Sequence, residues 1–397
     1  MVKINTVFYI LLLVGFTIVS MFPDAFSLNS RIITVPFRAV ILSLSIVIIL
    51  YNVFTKHSNR FGKTEFFFIA FWVFYSIKAV ISFKMYAFSE PMALLETEVY
   101  SRIIGITFIP SLAVLTINEK DIDYPLFFKY VYYTLFLILL LNVFVGIKYD
   151  VQGRSSGFMS MYSISFGHLG VSLALLSIYK LLYEVKSRYI WVIPFFGMIL
   201  GLYVLYASGT RSPLIAFILC LCFLLYLKNK LKYLGFFLLL LCTGVVALIY
   251  FRPQYDAVGQ SSSFLNRVTN MIVSGDSSGR GELYQQGTKI FTEHPIFGGR
   301  ILYFDGGYPH TIFIEVLMAM GIVGMVLYLF FFKKCIIYLL ELKKIKENRE
   351  PVFWVSILWL QYFVLSLFSY NLHSSPEIWY LTSMILVLSK KTITVIK

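Results

Sequence analysis

Residues 251–310, FRPQYDAVGQSSSFLNRVTNMIVSGDSSGRGELYQQGTKIFTEHPIFGGRILYFDGGYPH, form the one long polar interruption of the chain, and they run directly into residues 311–332, TIFIEVLMAMGIVGMVLYLFFF. The rest is a succession of apolar runs. Hydrophobic residues make up 59% of the 397 and charged residues 14%, and a soluble core of that length has no need of so apolar a surface. Runs of about 16–22 apolar residues recur, long enough as helices to cross a hydrocarbon layer of roughly 30 Å. Their positions predict about twelve spans, near 5–22, 34–54, 65–85, 102–118, 125–146, 161–182, 189–207, 212–227, 231–250, 309–332, 352–370 and 374–389. Lipid offers the backbone no hydrogen-bonding partners, so spans of this kind must be helices. The strict alternation of a membrane β-barrel is missing. The expected architecture is therefore all-α: a polytopic integral membrane protein, one domain over 1–397, with a long loop at 251–308.

Shorter features follow from the same pattern. Residues 86–101 read as an acidic outer loop and 333–350 as a basic cytoplasmic one. Within the long loop, SSSFLNRVTNMIVS reads as a helix lying on the membrane surface. GELYQQGTKIFTEHP reads as a helix from Glu282 to a stop at Pro295. A long ordered loop in a protein of this kind is usually functional.

The net charge of +14, from 34 Lys and Arg against 20 Asp and Glu, raises the question of nucleic acid. Position answers it. The basic runs KNKLK (228–232), KK (333–334), KKIKENR (343–349) and KK (390–391) fall on one side of the predicted membrane. By the positive-inside rule that side is cytoplasmic, with both termini, and the long loop lies outside. The basic excess is a topology signal, and no nucleic-acid partner is expected. Cys220, Cys222, Cys242 and Cys335 all sit in or beside apolar spans, which argues against disulfides and against a zinc site. Residues 1–22 resemble a signal peptide, with Lys3 before an apolar run, but lack a small-x-small cleavage site and so read as an uncleaved first span.

Chemistry is expected where water and charged ligands meet titratable groups, and three places qualify. In ASGTRSP (207–213), Arg211 stands at an outer corner between two helices. Gly209 permits the turn, Ser212 can cap the next helix and Pro213 can occupy its first position. Arg211 is either an interfacial arginine snorkelling to lipid phosphates or a guanidinium fork that grips a diphosphate. In SGRGELYQQG (278–287), Arg280 precedes a helix that Ser277 or Ser278 can cap, and the alternatives are an anion site and a solvated loop arginine. In GGYPHTIFIE (306–315), Pro309 fits a first helical turn, with His310 at the positive end of the helix dipole. There His310 is either an interfacial cap or a neutral general base. Glu315 falls on a different face and makes no dyad with it. His294 reads as structural, setting the turn before Pro295.

Arg154, Arg267, Lys289, Arg300, His373 and Lys78 complete the candidate set as substrate-contacting groups. Lys78, inside the third span, either serves function or snorkels outward. His168 lies among small neighbours suited to helix packing. Phosphate loops, dinucleotide fingerprints and metalloprotease helices do not occur. Asp256, Asp276 and Asp305 are scattered, so metal-independent chemistry without a cofactor is expected.

SGTRSP (208–213), SGRGELYQQGTKIFTEHPIFGGR (278–300) and HTIFIEVLMAMGIVG (310–324), in this order and spacing, resemble the O-antigen polymerase and O-antigen ligase superfamily. GRSSGFMSMYS (153–163) is similar to that family's Arg-x-x-Gly-Phe turn but lacks its Asn-Pro, and Thr311 stands where an Asn often follows the histidine. The resemblance implies a membrane glycosyltransferase of the GT-C type in a bacterial inner membrane. It would act at the periplasmic face on glycans linked to undecaprenyl diphosphate. Carried over, Arg211 and Arg280 match the arginines held to bind diphosphate, and His310 the catalytic histidine. A polymerase adds the growing chain to another carrier-linked unit, whereas a ligase moves it to lipid A–core. Implied partners are carrier-linked oligosaccharides, membrane lipids and, for a polymerase, a chain-length regulator protein. From another class, a lipid-linked oligosaccharide flippase should show two related halves and charge at the midplane. This chain is asymmetric, with its charges gathered at one surface.

Overall fold

The apolar runs fold as helices because each must satisfy its own backbone in lipid. The structure, a computed structural model, describes residues 3–26, 29–55, 61–89, 92–146, 148–149, 155–157, 162–183, 191–229, 235, 280–344 and 352–396. Six helices among these are long and apolar enough to cross a membrane: α2 (Ser30–Thr55), α3 (Lys63–Met85), α4 (Leu95–Thr116), α5 (Tyr124–Phe144), α6 (Ser163–Tyr183) and α10 (Ile312–Lys344). Four shorter apolar helices are α1 (Ile4–Val19), α7 (Val192–Ala207), α8 (Arg211–Leu227) and α11 (Phe353–Ser366). Two further helices are α9 (Arg280–Glu293) and α12 (Pro376–Ile396). The only non-helical ladder among the described residues is a two-residue antiparallel pair, Lys148–Tyr149 with Ser155–Ser156.

Helices stand at eleven of the predicted span positions, and the span expected at 231–250 lies, apart from residue 235, outside the described residues, as do 251–279. Two loops are shorter than expected. Residues 92–100 are helical and run into α4 through a π-helical stretch, Ser101–Phe108. α10 continues past 332 to Glu341, with a final 3₁₀ turn to Lys344. In both cases the helix extends beyond the apolar window, because a polar helical turn keeps its hydrogen bonds as well in water as in lipid.

The described residues group into two compact units. One comprises Met1–Phe16, Thr34–Phe127 and Ser278–Lys397, the other Thr17–Ile33 and Phe128–Ser277. The core of the first is aromatic. Phe68, Phe71 and Trp72 of α3, Tyr328 and Phe331 of α10 and Trp379 of α12 are each no more than 2% exposed. Trp72 and Trp379 meet edge to face at 4.9 Å, and Phe68 meets Phe331 at 5.2 Å. Between helices that lipid would solvate equally well, such close packing supplies much of the attraction.

Pro110 shapes α4. It has no N–H, so the carbonyl of Ile106 has no donor four residues on. A π-helical stretch, Ser101–Phe108, lies just before this proline, and the Tyr380 hydroxyl donates to the Ile106 oxygen.

α10 is broken at Gly321, whose φ of 63° and ψ of −156° are not helical. Residues 294–299 fill the break. Ile322 N–H donates to Pro295 O (2.9 Å) and Val323 N–H to Ile296 O (3.2 Å), while Met318 O accepts from Gly299 N–H (2.8 Å). The turn thus replaces the helix's own partners. Only glycine fits: a Cβ on Gly298, itself at φ 72°, would lie 2.4 Å from Ala319 C, and one on Gly321 would lie 2.5 Å from Ile296 O. Broken helices persist at membrane depth only where protein satisfies the freed groups.

In the second unit α6 and α7 cross at backbone contact. A Cβ on Gly170 would meet Gly201 O at 2.7 Å, and one on Gly201 would meet Gly170 O at 2.5 Å. Small residues at a crossing let two helices approach in this way.

Candidate functional site

The site forms where α9, the 300–311 segment and the start of α10 meet the turn between α11 and α12. α9 begins at Arg280, two residues before the predicted Glu282, and ends at Glu293. It seats against the start of α10 through Gly287, where a Cβ would come within 2.7 Å of Ile314 and 3.0 Å of the Tyr303 hydroxyl. That hydroxyl donates to Leu283 O at 2.5 Å. Tyr303 also begins a tight turn: its N–H donates to Gly307 O (2.9 Å), and Gly306, at φ 78°, donates back to Tyr303 O (3.1 Å). YFDGG therefore holds α9 and delivers the chain to His310.

His310 departs from the sequence expectation. α10 starts at Ile312 with Thr311 as its N-cap, so neither Pro309 nor His310 belongs to the first turn. His310 is left-handed instead, at φ 59°. Histidine visits that region more readily than bulky residues do, and held strain of this sort concentrates at functional sites. The half-buried ring packs on Tyr308, centroids 4.2 Å apart, and Nδ1 faces Ser369 O at 3.4 Å. A carbonyl only accepts, so Nδ1 carries the proton and Nε2 keeps its lone pair. Burial lowers the imidazole's pKa, the Ser369 carbonyl opposes that, and the Arg280 charge lowers it further. At neutral pH His310 is a neutral base with an arginine close enough to act on it.

Beneath His310 lies the turn 367–375. Glu315, fully buried, accepts from Leu372 N–H with both carboxylate oxygens at 3.0 Å. This pairing escapes sequence reading because its partner is a backbone amide 57 residues away. His373 is 4% exposed, with Nδ1 3.3 Å from the Tyr75 hydroxyl and its carbonyl accepting from Thr107. Burial, then the Arg102 charge, push its pKa down to about 3.

That shift makes a stability prediction. In the unfolded chain His373 takes a proton near pH ~6.5, in the folded protein only near pH 3. Between those values the unfolded state binds more protons, so stability is complete above the unfolded pKa and lost as pH falls. At pH 5 the loss is about 2 kcal/mol, and His310 adds to it in the same direction. The thermal midpoint of the solubilised protein should drop between pH 7 and 5, and His373→Gln should flatten that slope. An identical slope in the variant would assign the effect to other groups.

The remaining candidates separate by what they touch. Lys78, 8% exposed, donates from Nζ to Gly298 O at 2.9 Å, tying α3 to the turn in the α10 break. Arg300 is held between Tyr86 and Phe88, 5.0 and 5.1 Å from the ring centroids, and donates to Ala87 O at 2.8 Å. Burial lowers its pKa, with Tyr86 acting the other way. Both are thereby engaged with protein. Lys289 and His294 are exposed. Arg154 and Arg267 lie outside the described residues.

Arg211 belongs to the second unit. It is the first residue of α8, with Thr210 as N-cap, so Ser212 is not the cap and Pro213 stands third in the helix. Gly209, at φ 61°, makes the turn as expected. Ser208 and Thr210 share a 2.9 Å hydroxyl contact, and α6 presses on this corner at Gly167, where a Cβ would meet Ser208 Oγ at 2.5 Å. The arginine is thus borne on a rigid corner. His168 is buried beside that glycine, in α6.

The apolar helices support a multi-pass membrane protein. Residues 196–329, from α7 into α10, match the family model described as O-antigen ligase. The matched segment contains Arg211, Arg280 and His310. It supports an O-antigen-related function and a membrane glycosyltransferase-like enzyme, and does not separate a polymerase from a ligase. No curated protein and no solved structure matches the chain.

Proposed function

We propose that this chain is an O-antigen polymerase, extending undecaprenyl-diphosphate-linked oligosaccharides at the periplasmic face of a bacterial inner membrane. The observation that supports the glycosyltransferase chemistry of this reading is a neutral, half-buried His310 under the influence of the Arg280 charge, at the start of a long apolar helix and within the family match.

The chemistry follows from those groups. Nε2 of His310 takes the proton from the acceptor sugar's hydroxyl. The freed oxygen attacks the anomeric carbon of the donor glycan, forming the new glycosidic bond. The bond from that carbon to the diphosphate oxygen breaks, and its electron pair leaves with the lipid diphosphate. Arg280 stabilises that growing charge through its planar guanidinium donors. A single displacement inverts the anomeric carbon. No metal or cofactor is required, because Arg280 supplies the positive charge and the imidazole the base.

A ligase is the second reading, favoured by the matched family's description. The chemistry is the same and the acceptor is lipid A–core. A flippase needs no base at the outer surface. Deleting the gene and resolving lipopolysaccharide on a gel separates these. Core bearing a single repeat unit identifies a polymerase. Bare core with accumulated carrier-linked polymer identifies a ligase. Unchanged long ladders remove both readings.

A further inference from the structure

We propose that Glu315 is a positioning residue for His310: by anchoring the 369–373 turn it fixes the Ser369 carbonyl that orients the imidazole. The inference rests on the reading of His310 as the base.

The path runs through the backbone. Ser369 is held on one side, where its N–H donates to Leu365 O (3.0 Å) at the end of α11. Its carbonyl side depends on the residues that follow. Three residues on, Leu372 is gripped twice. Both oxygens of Glu315 receive its N–H at 3.0 Å, and Trp379 Nε1 donates to its carbonyl at 2.8 Å. Asn371 Oδ1 closes the turn by accepting from Ser374 N–H at 2.6 Å. The Ser369 carbonyl therefore sits between two fixed points, and one of them is Glu315.

The cost of the arrangement argues for a use. Glu315 is fully buried in an apolar membrane helix, where a carboxyl group is expensive and marks a functional position. A neutral side chain could accept one amide hydrogen bond. What the carboxylate adds is two oxygens converging on one N–H, which fixes the turn in direction as well as distance. Glu315 does not approach the reacting atoms; it sets which imidazole nitrogen carries the proton. Once the Ser369 carbonyl drifts, either tautomer is open to His310, and the one protonated at Nε2 cannot act as a base toward the acceptor.

The test uses the full-length enzyme in lipid nanodiscs with carrier-linked oligosaccharide, comparing wild type, Glu315→Leu, Glu315→Gln and His310→Ala. Glu315→Leu should lower kcat by about 10- to 100-fold with KM nearly unchanged. The acidic limb of its kcat/KM profile should move to lower pH, because the Ser369 bond that favours the imidazolium is lost. Glu315→Gln keeps one acceptor for the Leu372 amide and should recover part of the rate, short of the wild type because the second converging oxygen is lost. Trp379→Phe, which removes the second anchor of the turn, should move the acidic limb the same way and covers the case in which Glu315→Leu does not insert. Wild-type kcat in Glu315→Leu overturns the proposal. So does a loss matched by less folded protein with the pH limb unmoved, which is a purely structural role. If His310→Ala turns over normally, the base assignment fails instead; if it is dead while Glu315→Leu is normal, only the positioning claim fails.

Discussion

His310→Ala should lower turnover by about 100- to 10,000-fold while the protein still inserts and melts near the wild-type temperature. The expected loss is that of a general base with no substitute at hand. A sugar hydroxyl is a poor nucleophile until its proton is drawn off, and the imidazole does so only while neutral. The structure keeps it neutral by burial and by the Arg280 charge. It also fixes the tautomer through Ser369. Wild-type kcat/KM should consequently hold up on acidification to below the ordinary imidazole pKa of ~6.5 before it falls. His310 is left-handed, and alanine is costlier there. His310→Asn tolerates that backbone and supplies no base, so it should be equally inactive and at least as stable as the alanine variant. A normal polysaccharide ladder from either variant sinks the assignment.

Arg280→Ala should cost about 100- to 1,000-fold in kcat, comparable to removing one donor to a developing oxyanion. In the proposed reaction the lipid diphosphate would depart with its charge localised near the membrane surface, where screening by water is reduced and a guanidinium counts for more. Arg280→Lys should recover part of the rate, since it restores charge without the planar two-pronged donor set. A second signature is specific to this site. Arg280 lowers the pKa of His310, so its removal raises that pKa. The acidic limb of kcat/KM should move to higher pH in Arg280→Ala, opposite to the shift expected for Glu315→Leu. An arginine that merely touched solvent or lipid phosphates would leave the limb in place.

The three residues at the centre of these expectations were legible because each sits in a short polar motif beside an apolar run. Arg211 in SGTRSP, Arg280 in SGRGE and His310 in GGYPH stand out against a chain with 14% charged residues. Other parts were legible only in type. HPIFGG (294–299) includes the predicted helix stop at Pro295, and AMGIVG (319–324) lies inside a predicted span. They are two halves of one joint, in which Gly298 and Gly321 bring backbones closer than any Cβ allows. Lys78 read either as a functional intramembrane cation or as one snorkelling outward, and its Nζ donates to Gly298 O within that joint. His373 read as an outer-loop contact and is buried against Tyr75.

One local rule failed twice for a common reason. Proline at the first helical position is a sound expectation, but Pro309 lies before its helix and Pro213 stands third in its own. Neighbouring segments set where these helices start: Pro309 lies against Gly287 of α9, and Pro213 lies against Gly167 of α6.

Hydropathy and charge asymmetry by themselves determined that this chain is a bundle of apolar helices interrupted by one long polar stretch, because lipid leaves the backbone no alternative to the helix and tolerates few charges. Which carbonyl faces His310, which carboxylate anchors that carbonyl and which glycine admits a turn into a broken helix were decided by tertiary structure alone. Those contacts reach backbone atoms tens of residues away, and a backbone amide or carbonyl is the same at every position in the sequence, so no residue pattern can announce its partner.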